Sequence, residues 1–488
     1  MNKLPPGWIW IRLQDIAEKI NPGFPSGKHN KNNRGVPHLR PMNINIKGEI
    51  DFSEVKHVEP ESYDSLLKDD ILFNNTNSPA LVGKTTYIRK DTNWAYSNHM
   101  TRIRFNTRLI NSGWIAHMLH TLFLNGFFRM SCVHHVNQAS INSTFLSERV
   151  VIPFPPLNEQ NRIVSKVEEL FTKLDAGTEY LKKMQVLLKQ YRRSVLKRAF
   201  EGKLTEKWRE KNKERTKSLL ESLQEEFKDK IIEEKKISNI NRKFLNMIPK
   251  EWVCLELNNI SIKIVDGTHF TPNYTSNGIP FISVKDIKNR MISFDNCKYI
   301  SSDEHNKLKK RCNPEFGDVL ITKSGTIGRI AVIKTHEEFS LFVSVALIKP
   351  DKQYLKSEFL SYLLENYINN IDIKQDIKGG VLKNFHIEDI KRIPIYLLPI
   401  EEQELMITEI ETKFSILENN KNLIQKTLLH CEKLRHSILK SAFDGKLVPQ
   451  DPSDESAEIL LQEIKKRKIG PINNIKIKNA NYKQMKLM

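Results

Sequence analysis

The stretch SVLKRAFEGKL, Ser194 to Leu204, returns as SILKSAFDGKL, Ser437 to Leu447, with eight of eleven positions identical. The two copies lie 437 − 194 = 243 residues apart in a chain of 488. The proline corners Pro156-Leu157-Asn158-Glu159-Gln160 and Pro399-Ile400-Glu401-Glu402-Gln403 repeat at the same offset. A tandem duplication therefore governs the fold: what one half builds, the other builds again. Between the first corner and the first repeat end, Ile163, Val167, Leu170, Leu174, Leu181, Met184, Leu188, Tyr191 and Val195 recur at steps of four and three, interrupted only at Gly177. That is the spacing of a coiled-coil seam. In the second half Ile410, Leu417, Ile424, Cys431 and Ile438 keep one seam position apolar, while the other softens to Met406, Lys413, Asn420, Thr427 and Leu434. A helix from about residue 157 to 200 rises ~1.5 Å per residue and would span roughly 65 Å, so two such helices must pack on each other or on a partner. Gly202 and Gly445, just past Phe200 and Phe443, stand where a left-handed cap ends a helix.

Each helix is preceded by a globular stretch. Trp8 and Trp252 open the two copies, and Leu13, Ile16 and Ile20 match Leu257, Ile260 and Ile264. Short β-like runs broken by Gly, Pro and Asn follow, at Val36 to Ile50 and Ile279 to Phe294. The turns at Lys68 to Leu72 and Phe316 to Leu320 each lead a strand into a polar loop, Asn74 to Lys84 in one half and Thr322 to Arg329 in the other. These loops are rich in Asn, Ser and Thr and end in Gly followed by a cation. Such side chains suit base edges and phosphates, although ordinary hairpin chemistry accounts for them too. Helix-like segments follow at Ser112 to Phe128 and Ser357 to Ile371. The expected fold is α+β: two mixed globular domains, 1–155 and 248–398, separated by two long helices in a tandem repeat. The helical regions cover 156–204 and 399–465, a charged connector 205–247 carries an amphipathic helix at Ser218 to Ile232, and a basic tail, 466–488, is expected to be disordered.

Lys and Arg exceed Asp and Glu by 77 − 58 = 19, spread along the chain, which suits a polyanionic partner such as nucleic acid. The five cysteines show no C-x-x-C spacing, and no apolar run approaches the ~20 residues of a membrane span, so a reduced, cytoplasmic protein without a membrane role is expected. Catalytic motifs fail one by one. Gly83-Lys84-Thr85 lacks the first glycine of a phosphate loop, whose place Ser78 takes. Glu201-Gly202-Lys203 and Asp444-Gly445-Lys446 imitate part of a nuclease site but are explained by helix termination, and His134-His135 has no partner ligands at metal-binding spacing.

Taken together, the Trp openings, the NNTNSPALVGK and TKSGTIGR loops, the proline corners and the LK-x-AF-[ED]-GKL helix endings resemble the DNA-specificity subunits of type I restriction-modification systems. The likeness runs from about Trp8 to Arg467. It implies two target-recognition domains that each read half of a bipartite double-stranded DNA target, with two helical spacers packed as an antiparallel coiled coil about a quasi-twofold axis, as a ruler. It also implies two methyltransferase subunits and motor-nuclease subunits as partners. Those partners, not this chain, would use S-adenosylmethionine, ATP and Mg²⁺. On that reading Arg40, Asn43, Asn77, Ser78, Lys84, Lys285, Lys323, Ser324 and Arg329 are candidate DNA contacts. Glu159, Gln160, Phe200, Gly202, Glu402, Gln403, Phe443 and Gly445 mark the helices on which partners would dock, and no catalytic or metal-binding residue is expected. Two alternatives stay open: a methyltransferase or restriction enzyme in its own right, and a coiled-coil assembly protein with no nucleic-acid role.

Overall fold

The computed structural model describes residues 3–26, 30, 33–60, 62–232, 249, 251–370 and 385–469. They fall into two compact units, residues 1–181 with 426–488, and residues 182–425. In the first unit a four-stranded sheet runs Lys19–Pro22, Met100–Arg104, Ile71–Asn74, Thr85–Tyr87. The second unit repeats that order with Ser261–Asp266, Val345–Pro350, Val319–Thr322, Ile330–Val332. The inner strands Ile71–Asn74 and Val319–Thr322 are buried at all four positions, because each sheet is covered on both faces. A smaller sheet packs beside each: Lys56–Val58, Val36–Leu39, Ala95–Tyr96 in one unit, and Tyr274–Thr275, Lys298–Ile300, Ile279–Ile282, Ser340–Leu341 in the other. In both, the strand after the polar turn adds in parallel, Ala95–Tyr96 on Val36–Leu39 and Ser340–Leu341 on Ile279–Ile282.

The expected long helices are Leu157–Phe200 and Ile400–Phe443, 44 residues each. Both units take a segment of each helix. In the first unit Ile163, Val164 and Val167 share a core with Ile438, Leu439 and Ala442. Phe171 lies under the Arg435 guanidinium, 4.0 Å away, while Arg162 reaches Asp454 at 2.6 Å, so the segments run antiparallel. In the second unit Leu188, Val195 and Leu196 share a core with Met406, Ile410, Phe414 and Leu417. The seam is narrower than its pattern. Tyr191 is half exposed, and its neighbour Arg192 turns inward over Phe414 at 3.7 Å.

Each repeat lends its helix end to the unit that holds the other repeat's globular domain. Phe443 packs at a tilt against Trp114 with ring centroids 4.8 Å apart, and Gly445 meets Pro5 so closely that a Cβ there would stand 2.4 Å from the proline ring. Phe200 meets Phe359 edge-on at 5.5 Å, and a Cβ on Gly202 would stand 2.4 Å from Pro249. Both glycines are left-handed, at φ 72 and 67, as the common helix stop predicts. The short helices that follow are exchanged likewise. Lys213–Glu226 buries Thr216 and Leu220 in the second unit, and Ala457–Ile469 buries Ala457, Leu460 and Ile464 in the first.

Three boundaries differ from the sequence reading. The charged connector is no free spacer over its described residues: Phe227 joins the second core, and Ile232 donates its N–H to Cys254 O at 3.0 Å. The expected helix at Ser218 to Ile232 starts earlier, at Lys213, and stops at Glu226. The expected disordered tail begins with helix, since Lys466, Arg467 and Lys468 close Ala457–Ile469; residues 470–488 lie outside the described ones.

The residues named for partner docking are also corrected. Glu159, Gln160, Phe200, Glu402 and Gln403 are all buried. Glu159 accepts from the Trp8 indole at 2.9 Å, and Glu402 from the Thr205 hydroxyl at 2.6 Å and from Arg209. Gln160 donates to Pro155 O at 2.8 Å and accepts from Asn111 N at 3.0 Å. Gln403 donates to Leu398 O at 2.9 Å and accepts from Lys356 N at 3.0 Å. Buried polar groups are mostly hydrogen-bonded, and these bonds fasten each helix start within its own unit. Gly202, Phe443 and Gly445 are taken up by the exchanged ends.

Candidate nucleic-acid interface

In each unit the paired polar loop begins where an inner strand ends. Lys84 is buried, and its ammonium donates to Pro41 O at 3.1 Å and to Ile44 O. Arg329 repeats the arrangement, donating to Val284 O and Ile287 O, both at 3.1 Å. Each cation thus fastens its loop to a short 3-10 turn, Pro41–Asn43 or Val284–Asp286. Asn43 closes the first turn, accepting from Arg40 N at 3.0 Å and donating to Asp51 O at 2.9 Å; Asp286 closes the second, accepting from Ser283 N at 2.9 Å. The expectation that Lys84 and Asn43 touch DNA is therefore corrected, since both are buried and bonded within the fold, while Arg329 is half-buried with one guanidinium nitrogen bonded to the turn. Burial also lowers the affinity of Lys84 for its proton below the usual lysine range.

The remaining candidates lie nearer solvent. Arg40 is half-buried and its guanidinium lies 3.0 Å from Met42 Sδ. Lys285 is exposed, donating to Asn296 O at 3.1 Å. Asn77 and Ser78 are half-buried, and the Asn77 side chain holds Ser78 N at 2.8 Å. Ser324 is half-buried on a loop whose tip, Gly325-Thr326, is exposed. Lys323 lies over the buried Asp266 carboxylate at 2.8 Å, which also receives Arg311 at 2.6 Å and His269 at 3.1 Å. Burial pushes the Asp266 carboxyl up, but the bonds from Lys323 and His269 outweigh it and hold the group below the usual carboxylate range. Two cations and an imidazole on one carboxylate leave an excess of positive charge at this edge, with Arg311 and His269 largely exposed.

Just past the strands Lys19–Pro22 and Ser261–Asp266, the chain crosses another strand closely in each unit. A Cβ on Gly23 would stand 2.0 Å from Tyr96 O, and one on Gly267 2.0 Å from Leu341 O. Only glycine fits at either crossing.

Sequence reasoning missed one element. Val133–His134 pairs with Ala139–Ser140 as a hairpin, which extends onto Thr76–Asn77 beside the candidate loop. His134 and His135, considered earlier only as metal ligands, belong to this ribbon, and His135 contacts Ser140 Oγ at 2.9 Å. No metal-binding group occurs among the described residues. Residues 133–138 are all exposed, Val136 almost completely. The sequence offers only H-H-V-N-Q there, and the exposure of Val136 arises from the hairpin itself.

A family profile described as the type I restriction modification DNA specificity domain matches this chain twice, over residues 5–184 and 249–427. The chain belongs to that family. Its role is that of a specificity subunit, the part of a type I restriction-modification system that carries DNA sequence specificity. It is similar to the specificity subunit of the type I restriction enzyme EcoBI of Escherichia coli, 26% identical over 94% of this chain and 92% of that one. Similarity to the EcoKI specificity subunit of E. coli strain K12 is 24% over 95% and 96%. Among solved structures, a chain from a type I restriction-modification assembly matches with TM-score 0.64 and 19% identity over 92% of this chain and all of that one. The HsdS subunit of Thermoanaerobacter tengcongensis matches with TM-score 0.55 and 19% identity over 91% and 98%. The two matched spans of this specificity chain are its two repeats, so each unit presents the same domain with different exposed residues.

Proposed function

We propose that each unit of this specificity chain reads one half of a bipartite DNA target, and that the chain positions catalytic partners without doing chemistry itself. The observation that carries this reading is the duplication: one domain is built twice, with the same sheet order and a different exposed edge in each copy. In the first unit the edge is the Val133–Ser140 hairpin with Asn77 and Ser78. A two-stranded ribbon fits the major groove, where Asn and Gln pair with adenine and an apolar side chain meets a thymine methyl. In the second unit the edge is His269, Arg311, Lys323 and Ser324, whose cations suit guanine and phosphate. Arg40 and Lys285 join the phosphate contacts. Two methyltransferase subunits supply S-adenosylmethionine chemistry on adenine, and motor-nuclease subunits use ATP and Mg²⁺, all in the cytoplasm. Among the described residues no helix is long and apolar enough to cross a membrane.

Mapping N6-methyladenine across the genome of a methylation-free bacterial host tests the proposal, with this chain expressed beside its companion methyltransferase and the methyltransferase alone as control. A split motif with an unread gap, present only with this chain, is the expected result. A motif that does not depend on this chain would overturn it.

A further inference from the structure

Both units hold the turn of a hairpin against the long helices through one shared carboxylate, and three of the four partners recur at the repeat offset. In the first unit Lys47, on the turn between Ile44 and Ile50, reaches Asp175 of the first long helix at 2.9 Å. Arg435 of the second long helix reaches the same oxygen at 2.6 Å and lies over Phe171 at 4.0 Å. In the second unit Arg290, on the turn between Ile287–Lys288 and Met291–Ile292, pairs with Glu365. Arg192 of the first long helix clasps Glu365 with two bonds of 3.0 and 3.2 Å and lies over Phe414 at 3.7 Å. Lys47 and Arg290, Phe171 and Phe414, and Arg192 and Arg435 are each 243 residues apart. The aromatic beneath matches too: His117 meets Phe171 edge-on at 5.9 Å, and Tyr362 meets Phe414 at 5.7 Å.

Only the carboxylate has moved. In the first unit it stands on a long helix, and in the second on the helix Ser357–Asn370 of the globular domain. The link it makes is the same in kind: one charge from the domain and one from a long helix meet at each carboxylate. The second hairpin turns through Asn289 and Arg290, both left-handed at φ 50 and 62, as a two-residue turn between paired strands requires.

We propose that Asp175 with Lys47 and Arg435, and Glu365 with Arg290 and Arg192, are positioning groups that set the angle of each reading domain on the helix pair, and so the gap accepted between half-sites. This rests on the split-target reading. One base pair more or less displaces a half-site by about 3.4 Å and turns it by about a tenth of a turn. A domain released from its clasp follows that change more readily.

The assembled methyltransferase complex is assayed on duplexes carrying both half-sites with the native gap and with gaps one base pair longer or shorter. For Asp175→Asn and Glu365→Gln, methylation at the altered gaps is expected to rise about fivefold relative to the native gap, the scale of a lost ion pair, with the bases read in each half-site unchanged. Asp175→Glu and Glu365→Asp should restore the native profile. Lys47→Met and Arg290→Met, which remove the domain side of the first clasp and the turn side of the second, carry the same expectation should the acidic variants not fold. A gap profile unchanged in these variants, or methylation lost equally at all gaps, overturns the role. A wild-type complex that methylates no split motif overturns the split-target reading itself, and this role with it.

Discussion

Lys84 shows why a cation in a polar loop is a poor guide to DNA contact. Its stem and ammonium are buried, and two carbonyls accept its hydrogen bonds, so Lys84→Met should cost about 1–3 kcal/mol by leaving those carbonyls unpaired. Chemical denaturation reads that loss. The same variant should leave the salt dependence of DNA binding by the assembled complex unchanged, whereas removal of a phosphate contact lowers the salt slope by about one. A reduced slope would return Lys84 to the interface. From sequence, Lys84 and Arg329 are recognisable as a pair after Gly, but the turns Pro41–Asn43 and Val284–Asp286 that receive them lie some forty residues earlier in the chain. Periodicity and composition carry no information about such a contact. Val136 was missed for the opposite reason: its exposure is a property of the hairpin, and nothing local in H-H-V-N-Q announces it.

At the scale of elements, the long helices were legible because their signal is repeated many times over. Ile163, Val167, Val195, Ile410, Leu417, Ile424 and Ile438 are buried as the seam requires, and proline corners and glycine stops bound both helices. What the pattern could not show is which globular domain receives each helix end. Phe200 is encoded in the first repeat yet sits on Phe359 in the second unit. Phe200→Ala should therefore cost about 3–5 kcal/mol and lower amide-exchange protection in residues 251–370 while leaving residues 62–154 unchanged. Loss of protection in the first globular domain would contradict the exchange. The hairpin tested in the same spirit is Val133–Ser140: alanine at Val136, Asn137 and Gln138 should alter one half of the methylated motif and leave the other half intact, as read by methylation mapping.

At the scale of the molecule, the repeats share a plan but bury imidazoles at different places, among them His117 and His120 in the first unit and His305 in the second. Burial pushes His117 down to about 3 and His120 to about 4, whereas the positions equally far into the matching helix are Tyr362 and Glu365. Both imidazoles stay neutral in the folded unit but protonate in the unfolded chain below about pH 6.5. The stability of the first unit is thus undiminished by them above that pH and declines as pH falls toward 4. His120→Gln should move the onset of acid opening of the first unit to lower pH without moving that of the second, followed by amide exchange from about pH 7 to about pH 4. The exchanged helix ends bear on something different, the meaning of covalent continuity in this protein. A backbone break between Ile232 and Pro249 would leave two polypeptides, each carrying Phe200 or Phe443 for the other's interior. Neither piece owns a complete core. Two such chains made separately should find each other and travel as one particle, and one of them alone should not persist as a folded protein.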